Sequence, residues 1–320
     1  MRLRGKINGH LRSNFITHWS PDVHPVLTLK DMQSAVVEIP EASTDQITRK
    51  STSADIGRLD STLTDAAVGP IYVEDAMPGD ILRVDILEIK CDRWGWTGII
   101  PGFGLLTEQF PEPRLYHWSI TNGLISPRKN EFLTGLKLKA RPFLGIVGVA
   151  PAEHSTAYTM IPPQYFGGNM DNRRICEGAS VYFRVNVKGA MLCIADTHAT
   201  QGDGEVCGTA VETPSRTTVR VRLFSDEGDI PTPSVIGKED LRRSRMYSTS
   251  GIGSDLYQAA KNAVLSMVKF VSAHGVDQYE AYALCSVAGN LSISEIVDAP
   301  NWNVSFSIPV DILRQIGVSV

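Results

Sequence analysis

The chain has 320 residues, 42% of them hydrophobic, enough to bury a large core as one sizeable unit or two smaller ones. Its 31 basic and 35 acidic residues leave a net charge of −4, and no basic stripe or aromatic–arginine platform stands out, which argues against a nucleic-acid partner. No apolar run approaches the roughly 20 residues that cross a bilayer, which argues against a membrane partner.

Met1 to Lys6 is basic but leads into no signal-like apolar core. Cys91, Cys176, Cys193, Cys207 and Cys285 are odd in number and widely spaced, without a C-x-x-C pair. That excludes a disulfide framework and a zinc-finger site, and makes a reducing compartment, the cytoplasm, the expected location.

Most of the chain reads as β-structure. Met77 to Asp80 supplies a turn, after which Leu82, Val84 and Ile86 alternate with Arg83 and Asp85 as in a half-buried strand. Val181, Phe183, Val185 and Val187 repeat the pattern, and Lys188–Gly189 is expected to reverse the chain into Ala190–Asp196 as a hairpin. Further strands are predicted around Val219–Leu223 and Val304–Ile308. Helical spacing takes over once, at Leu256, Ala260, Ala263, Met267 and Val271, with Ser254 as the expected N-cap and His274–Gly275 as the stop. Asp277 and Glu280 have capping-box spacing for a second helix running to about Ala288. The fold class is therefore α+β and mainly β: sandwich-like or barrel-like sheets with an inserted C-terminal αα-hairpin. Nothing forces a boundary, so residues 1–320 are read as a single domain; a subdivision near 150–165 stays open.

The chemistry concentrates between Asp196 and Glu212, where one imidazole and four carboxylates fall within 17 residues, directly after an apolar strand. A soluble domain rarely places so many ionisable groups beside a buried strand unless they meet a cation or a substrate. Alternate strand residues share a face, so Asp196 and His198 can converge on one divalent ion at the strand end. Gly202-Asp203-Gly204-Glu205 is a Gly-flanked turn whose carboxylates can fold back toward the same point, its glycines letting backbone approach a ligand. The plain alternative is ordinary turn chemistry. Gly167-Gly168-Asn169-Met170-Asp171 is a second candidate, a loop offering an amide and a carboxylate to a substrate or merely linking two strands. Cys207, two residues from Glu205, is conceivable as a nucleophile, but Cys193 and Cys207 both sit among apolar neighbours, where a thiol is inert.

Asp171, Asp196 and His198 are the expected ligands of a divalent metal, zinc first with calcium or magnesium as alternatives; Asp203 competes with Asp171 for that place. Glu205 is the expected general base and later proton donor, with Asp203 and Glu212 as further catalytic candidates. Asn169, Gly168 and Gln201 are expected to contact the substrate. A different class of function, a non-catalytic β-protein in which calcium staples a loop and a small polar ligand binds, is disfavoured by the imidazole inside the cluster.

These residues carry a resemblance to the acetamidase/formamidase family. Asp196–Glu212 resembles its strand-end signature, Gly167–Asp171 its Gly-Gly-Asn-x-Asp loop, and Gly69–Glu74 with Pro78–Asp80 its Gly-Pro and Pro-Gly-Asp pair. Trp94–Gly98 and Glu280–Tyr282 also fit, so the likeness runs from about Trp19 to Pro309. It implies metal-assisted hydrolysis of a short, small-molecule amide to a carboxylate and ammonia, by a mainly β enzyme that forms homo-oligomers. Phe166 stands where the family has His, Ala195 where it has Gly, and Asp45–Gln46 is all that is left of an early Gly-Gly-Gln segment. The change at Phe166 implies a larger or less polar substrate than formamide.

Overall fold

The computed structural model describes residues 2–4, 14–154, 156–162, 164–173, 175–225, 233–236, 246–295 and 302–318. Of the basic N-terminal stretch, Met1, Gly5 and Lys6 lie outside the described residues. Two six-stranded sheets carry the first half of the architecture. One has Ser215–Phe224 and Ile81–Cys91 as central antiparallel neighbours, flanked by Ser34–Ile39 and Ser180–Arg184. The other runs Gly167–Asn169, Phe143–Gly148, Leu192–His198, Ala67–Val73, Phe15–Ile16, with Leu27–Leu29 paired in parallel to Ala67–Val73 as the sixth strand. In Ser180–Arg184 and the first seven residues of Ser215–Phe224, every second side chain is buried, as their period-2 sequences require. The buried apolar residues of both sheets, among them Val84, Val181, Val219, Ile146 and Ile194, form one continuous core, which is the sandwich expected from the pattern.

A four-stranded sheet that includes Trp94–Ile99 and Arg114–Thr121 shares a second core with the C-terminal elements. Those elements are the helices Leu256–Ser272 and Gln278–Ala288, inserted between Met246–Gly253 and Asn290–Glu295, which with Trp302–Pro309 make a three-stranded sheet. The first helix begins one residue later than its sequence suggested. Asp255, not Ser254, is the N-cap, its carboxylate accepting from the Gln258 N–H at 2.7 Å. Asp277 caps the second helix through Tyr279 and Glu280 N–H, while the Glu280 carboxylate accepts instead from the Leu133 N–H. No helix among the described residues is long and apolar enough to cross a membrane.

One local expectation fails. Ser180–Arg184 and Leu192–His198 are not a hairpin; they belong to different sheets, the first pairing with Ile81–Cys91 and the second with Phe143–Gly148 and Ala67–Val73. Ala190 and Met191 both have positive φ, 56° and 59°, and the connection passes from one layer of the sandwich to the other. Leu192–His198 consequently lies between two neighbours with every residue buried. A strand that starts Leu-Cys-Ile-Ala thus delivers Asp196, Thr197 and His198 into an interior from which water is largely excluded.

Candidate active site

His198 is the centre of the site. Its Nε2 is 2.9 Å from Asp196, 3.1 Å from Glu212 Oε2 and 3.8 Å from Glu205 Oε1, and its Nδ1 is 3.9 Å from Asp171 Oδ1. Asp196 comes from the same strand. Asp171 follows the short strand Gly167–Asn169, which pairs with Phe143–Gly148. Glu212 is held to both His198 and Trp96 by isolated β-bridges. The Phe143 ring packs edge-on against the imidazole at 5.0 Å.

Gln201 fixes the imidazole further. Its Nε2 donates to the Asp171 carbonyl at 3.1 Å, which leaves its Oε1 facing His198 Nδ1 at 2.7 Å. That geometry puts the neutral ring's proton on Nδ1 and the lone pair on Nε2, toward the carboxylates. Gln201 is 3% exposed and does not line the cavity; its side chain holds His198 in place.

The other elements explain how so many acids fit. The strand register sets Leu144 against Thr197 and Ile146 against Ala195, so Gly145 faces Asp196. A Cβ at Gly145 would overlap Asp196 Oδ2 and lie 2.6 Å from Asp171 Oδ1; the missing side chain is the space the two carboxylates occupy. Four site acids, Asp65, Asp171, Asp196 and Glu205, adopt positive φ of 57°, 44°, 54° and 38°. Each such residue costs on the order of 1 kcal/mol or more, and strain of this kind gathers where a site is held in place by its surroundings. The second helix and the strand after it supply part of that restraint for the turn that carries Glu205. Gly202 N–H donates to Ser286 O at 2.9 Å, Leu291 N–H to Asp203 O at 2.8 Å, and the Tyr282 hydroxyl to Val206 O.

Burial raises the Asp171 carboxyl to about 7, with the Asp196 charge adding to the rise. Burial likewise lifts Glu212 to about 8 against the pull of His198. Glu205 and Asp65 are pushed well above the carboxylate range by burial first, then by Asp171 and Asp196 respectively. For His198 burial disfavours the imidazolium, but Asp196, Glu212 and Glu205 together outweigh it and the net shift is strongly upward. Fully ionised, these carboxylates would carry more negative charge than one imidazole can balance, which is why they resist ionising together.

All of these groups open onto a cavity of about 780 Å³, which Asn169 also lines. Asn169 Oδ1 and Asp171 Oδ1 are buried acceptors with no hydrogen-bond partner, and Glu212 Oε2 forms no hydrogen bond beyond its 3.1 Å approach to His198 Nε2. Buried acceptors left unmatched are costly, and several on the wall of one cavity fit a cation or a donor-bearing ligand. Ligand atoms of Asp171, Asp196 and His198 lie within 4.8 Å of one another, as do those of His198, Glu205 and Glu212. The donor set, one imidazole with carboxylates, suits a divalent metal.

Other sequence candidates fall elsewhere. Asp203 points away from the cluster into a two-pronged ion pair with Arg173 at 2.7 and 2.9 Å, its side chain 41% exposed. Gly168 faces the Trp19 indole instead of the cavity. Gly202 packs against Gly289 at the end of the second helix and Gly204 against Leu291 of the strand that follows, so these glycines admit close packing of the C-terminal elements. Cys207 is fully buried, its Sγ near Gly98 O and Thr209 O, and burial raises the thiol. Phe166 packs with Trp19, Tyr158 and Tyr165 and does not line the cavity. Asp65 and Gly145 were missed from sequence. Asp65 lines the cavity as a lone acid in a polar loop, and Gly145 sits inside an apolar run that reads as any buried strand.

The model of the acetamidase/formamidase family matches residues 8–158 and 154–315. The chain belongs to that family. Among its family relatives, the formamidase of Methylophilus methylotrophus is 25% identical over 92% of this chain and 88% of its own length. The acetamidase of Mycolicibacterium smegmatis is also 25% identical, covering 83% of each. Among solved structures, an acetamidase from Bacillus halodurans has 29% identity and a TM-score of 0.67, covering 99% of this chain and all of that one. The gamma lactamase from Delftia acidovorans shares the fold at a TM-score of 0.87 and 22% identity, covering 94% of this chain and 89% of its own.

Proposed function

We propose that this family member hydrolyses the C–N bond of a short linear amide to a carboxylate and ammonia, with a divalent cation, zinc first, held by Asp171, Asp196 and His198. The convergence of Asp171, Asp196, Glu205 and Glu212 on one buried histidine, with unmatched acceptors on the wall of the same cavity, carries this reading. Once bound, such a cation would polarise the amide oxygen, acidify a water and let the crowded carboxylates ionise together. Imidazole among carboxylates favours zinc or a similar borderline ion over calcium, which prefers oxygen ligands.

The chain's own groups divide the remaining work. Glu205 is the acid–base residue: it faces the cavity, is the farthest of the three carboxylates from His198 Nε2, and retains 16% side-chain exposure. It takes the proton of the attacking water as the new C–O bond forms, then delivers it to the nitrogen as the C–N bond breaks and ammonia leaves. Asn169 Oδ1 is a free acceptor at the cavity wall, suited to an N–H of the substrate amide. Glu212, with Oε1 anchored by the Ala210 N–H at 2.6 Å, presents Oε2 to the cluster and supports His198. The test is ammonia release from a panel of amides by metal-loaded and metal-stripped protein.

A further inference from the structure

Formamide and acetamide use little of this cavity. At about 780 Å³ it lies in the range of about 300–1,000 Å³ typical of sites for much larger ligands. The charged cluster is only part of its lining. Another part is carbon: Ile56, Leu59, Trp96, Ile100, Phe103 and Ile161.

The elements of this wall are built to stay apolar. Trp96 has one polar atom, Nε1, and it is spent on Glu41 Oε2 at 2.6 Å, so the indole turns only ring carbons toward other neighbours. Glu41 is itself buried and engaged by Ser43 and Asp45, which ties the loop over the cavity to that tryptophan. A Cβ at Gly98 would come within 3.0 Å of the Trp96 ring and 3.1 Å of Ile56 Cδ1, so the glycine makes room for both side chains. Phe103 lies against Gly208, where a Cβ would be 2.6 Å from its ring. Phe103 and Ile161 are each 39% exposed, and both line the cavity. Large apolar side chains held open to solvent along a cavity wall are costly for a folded chain unless something covers them.

We propose that the substrate is an amide whose acyl group is bulky and apolar, branched, cyclic or aromatic, and that it lies along the Trp96–Ile100–Phe103–Ile161 wall with its carboxamide at His198. This rests on the reading of the site as an amidase and narrows it to the upper end of the short-amide class. Phe166 plays no part in this selectivity, because it is packed in the core. The selecting residues come from the segments around 56–59, 96–103 and 161.

The experiment is a series of primary amides, formamide, acetamide, butanamide, hexanamide, benzamide and phenylacetamide, offered to the metal-loaded protein. Turnover is read as ammonia and binding is read by calorimetry. The expected result is a kcat/KM that rises about fourfold per added methylene, with affinity following the same order. Phe103→Ala and Ile161→Ala, both at partly exposed positions, are expected to narrow the phenylacetamide-to-acetamide ratio by about tenfold. A flat series, a preference for formamide or acetamide, or an unchanged ratio in both variants overturns the proposal. If no amide releases ammonia, the amidase reading fails. The calorimetric series then still decides the apolar wall: affinity rising with acyl size supports it and equal affinities refute it.

Discussion

Gly145→Ala tests the site without touching any residue that carries chemistry. The substitution adds one methyl to the strand Phe143–Gly148 at the point facing Asp196. That methyl would overlap Asp196 Oδ2 and stand 2.6 Å from Asp171 Oδ1, so the second oxygen must retreat by most of an ångström to reach an ordinary contact, and the first by more. Metal ligands tolerate displacements of only about 0.2 Å. Metal affinity should therefore fall by about a hundredfold or more, as it does when the groups supporting a ligand are lost. The fold should survive. Gly145 is not at a positive φ, and alanine is favoured over glycine within a strand by roughly 0.5–1 kcal/mol. Crowding of about 1–3 kcal/mol opposes that gain, leaving a net loss on the order of 1–2 kcal/mol. Metal content after dialysis, ammonia release and thermal unfolding separate these terms. A Gly145→Ala protein that keeps its metal and its rate would refute the claim that Asp171 and Asp196 act together at this spot.

Three further outcomes follow from the same geometry. Glu205→Gln should lower kcat by about 10²–10⁴-fold while metal content holds, the contribution of a positioned acid–base group; loss of metal instead would make Glu205 a ligand. Gln201→Leu removes the acceptor at His198 Nδ1 and should weaken metal binding by about 10–100-fold, measured by competition with a chelator, and an unchanged affinity would show that the ring orients itself. Burial raises Glu41 to about 7 from 4.5, so the folded state holds an extra proton between those values. Its contribution to stability is full below pH 4.5 and falls as pH rises through 7, by roughly 3 kcal/mol in all. Denaturant unfolding of the wild type and Glu41→Gln across pH 4.5–8 should show that slope in the first and its loss in the second.

The sequence made the strands legible where one face is buried, as at Ile81–Cys91 and Ser215–Phe224, because alternation encodes burial. It could not assign their partners. Alternation on both sides of Lys188–Gly189 looks the same whether the chain folds back on itself or crosses to another sheet, and here it crosses. At the site, Asp196 and His198 could be paired from their strand spacing, and the structure brings their side chains together. Asp203 and Glu205 share a turn and looked equivalent, yet Arg173, 30 residues away, draws one of them off. The role of Gly145 was invisible for the same reason: what it makes room for is decided by a register between distant strands, not by its neighbours.

The most direct measurement is metal removal followed by titration. Protein stripped by a chelator, with its fold checked by circular dichroism, should release no ammonia from any amide in the series. Activity should return in proportion to added zinc and saturate at a fixed ratio of metal to chain. Full turnover by protein shown to contain no metal would contradict the proposal, because the cluster around His198 would then be working without the ion its unpartnered acceptors are read to hold.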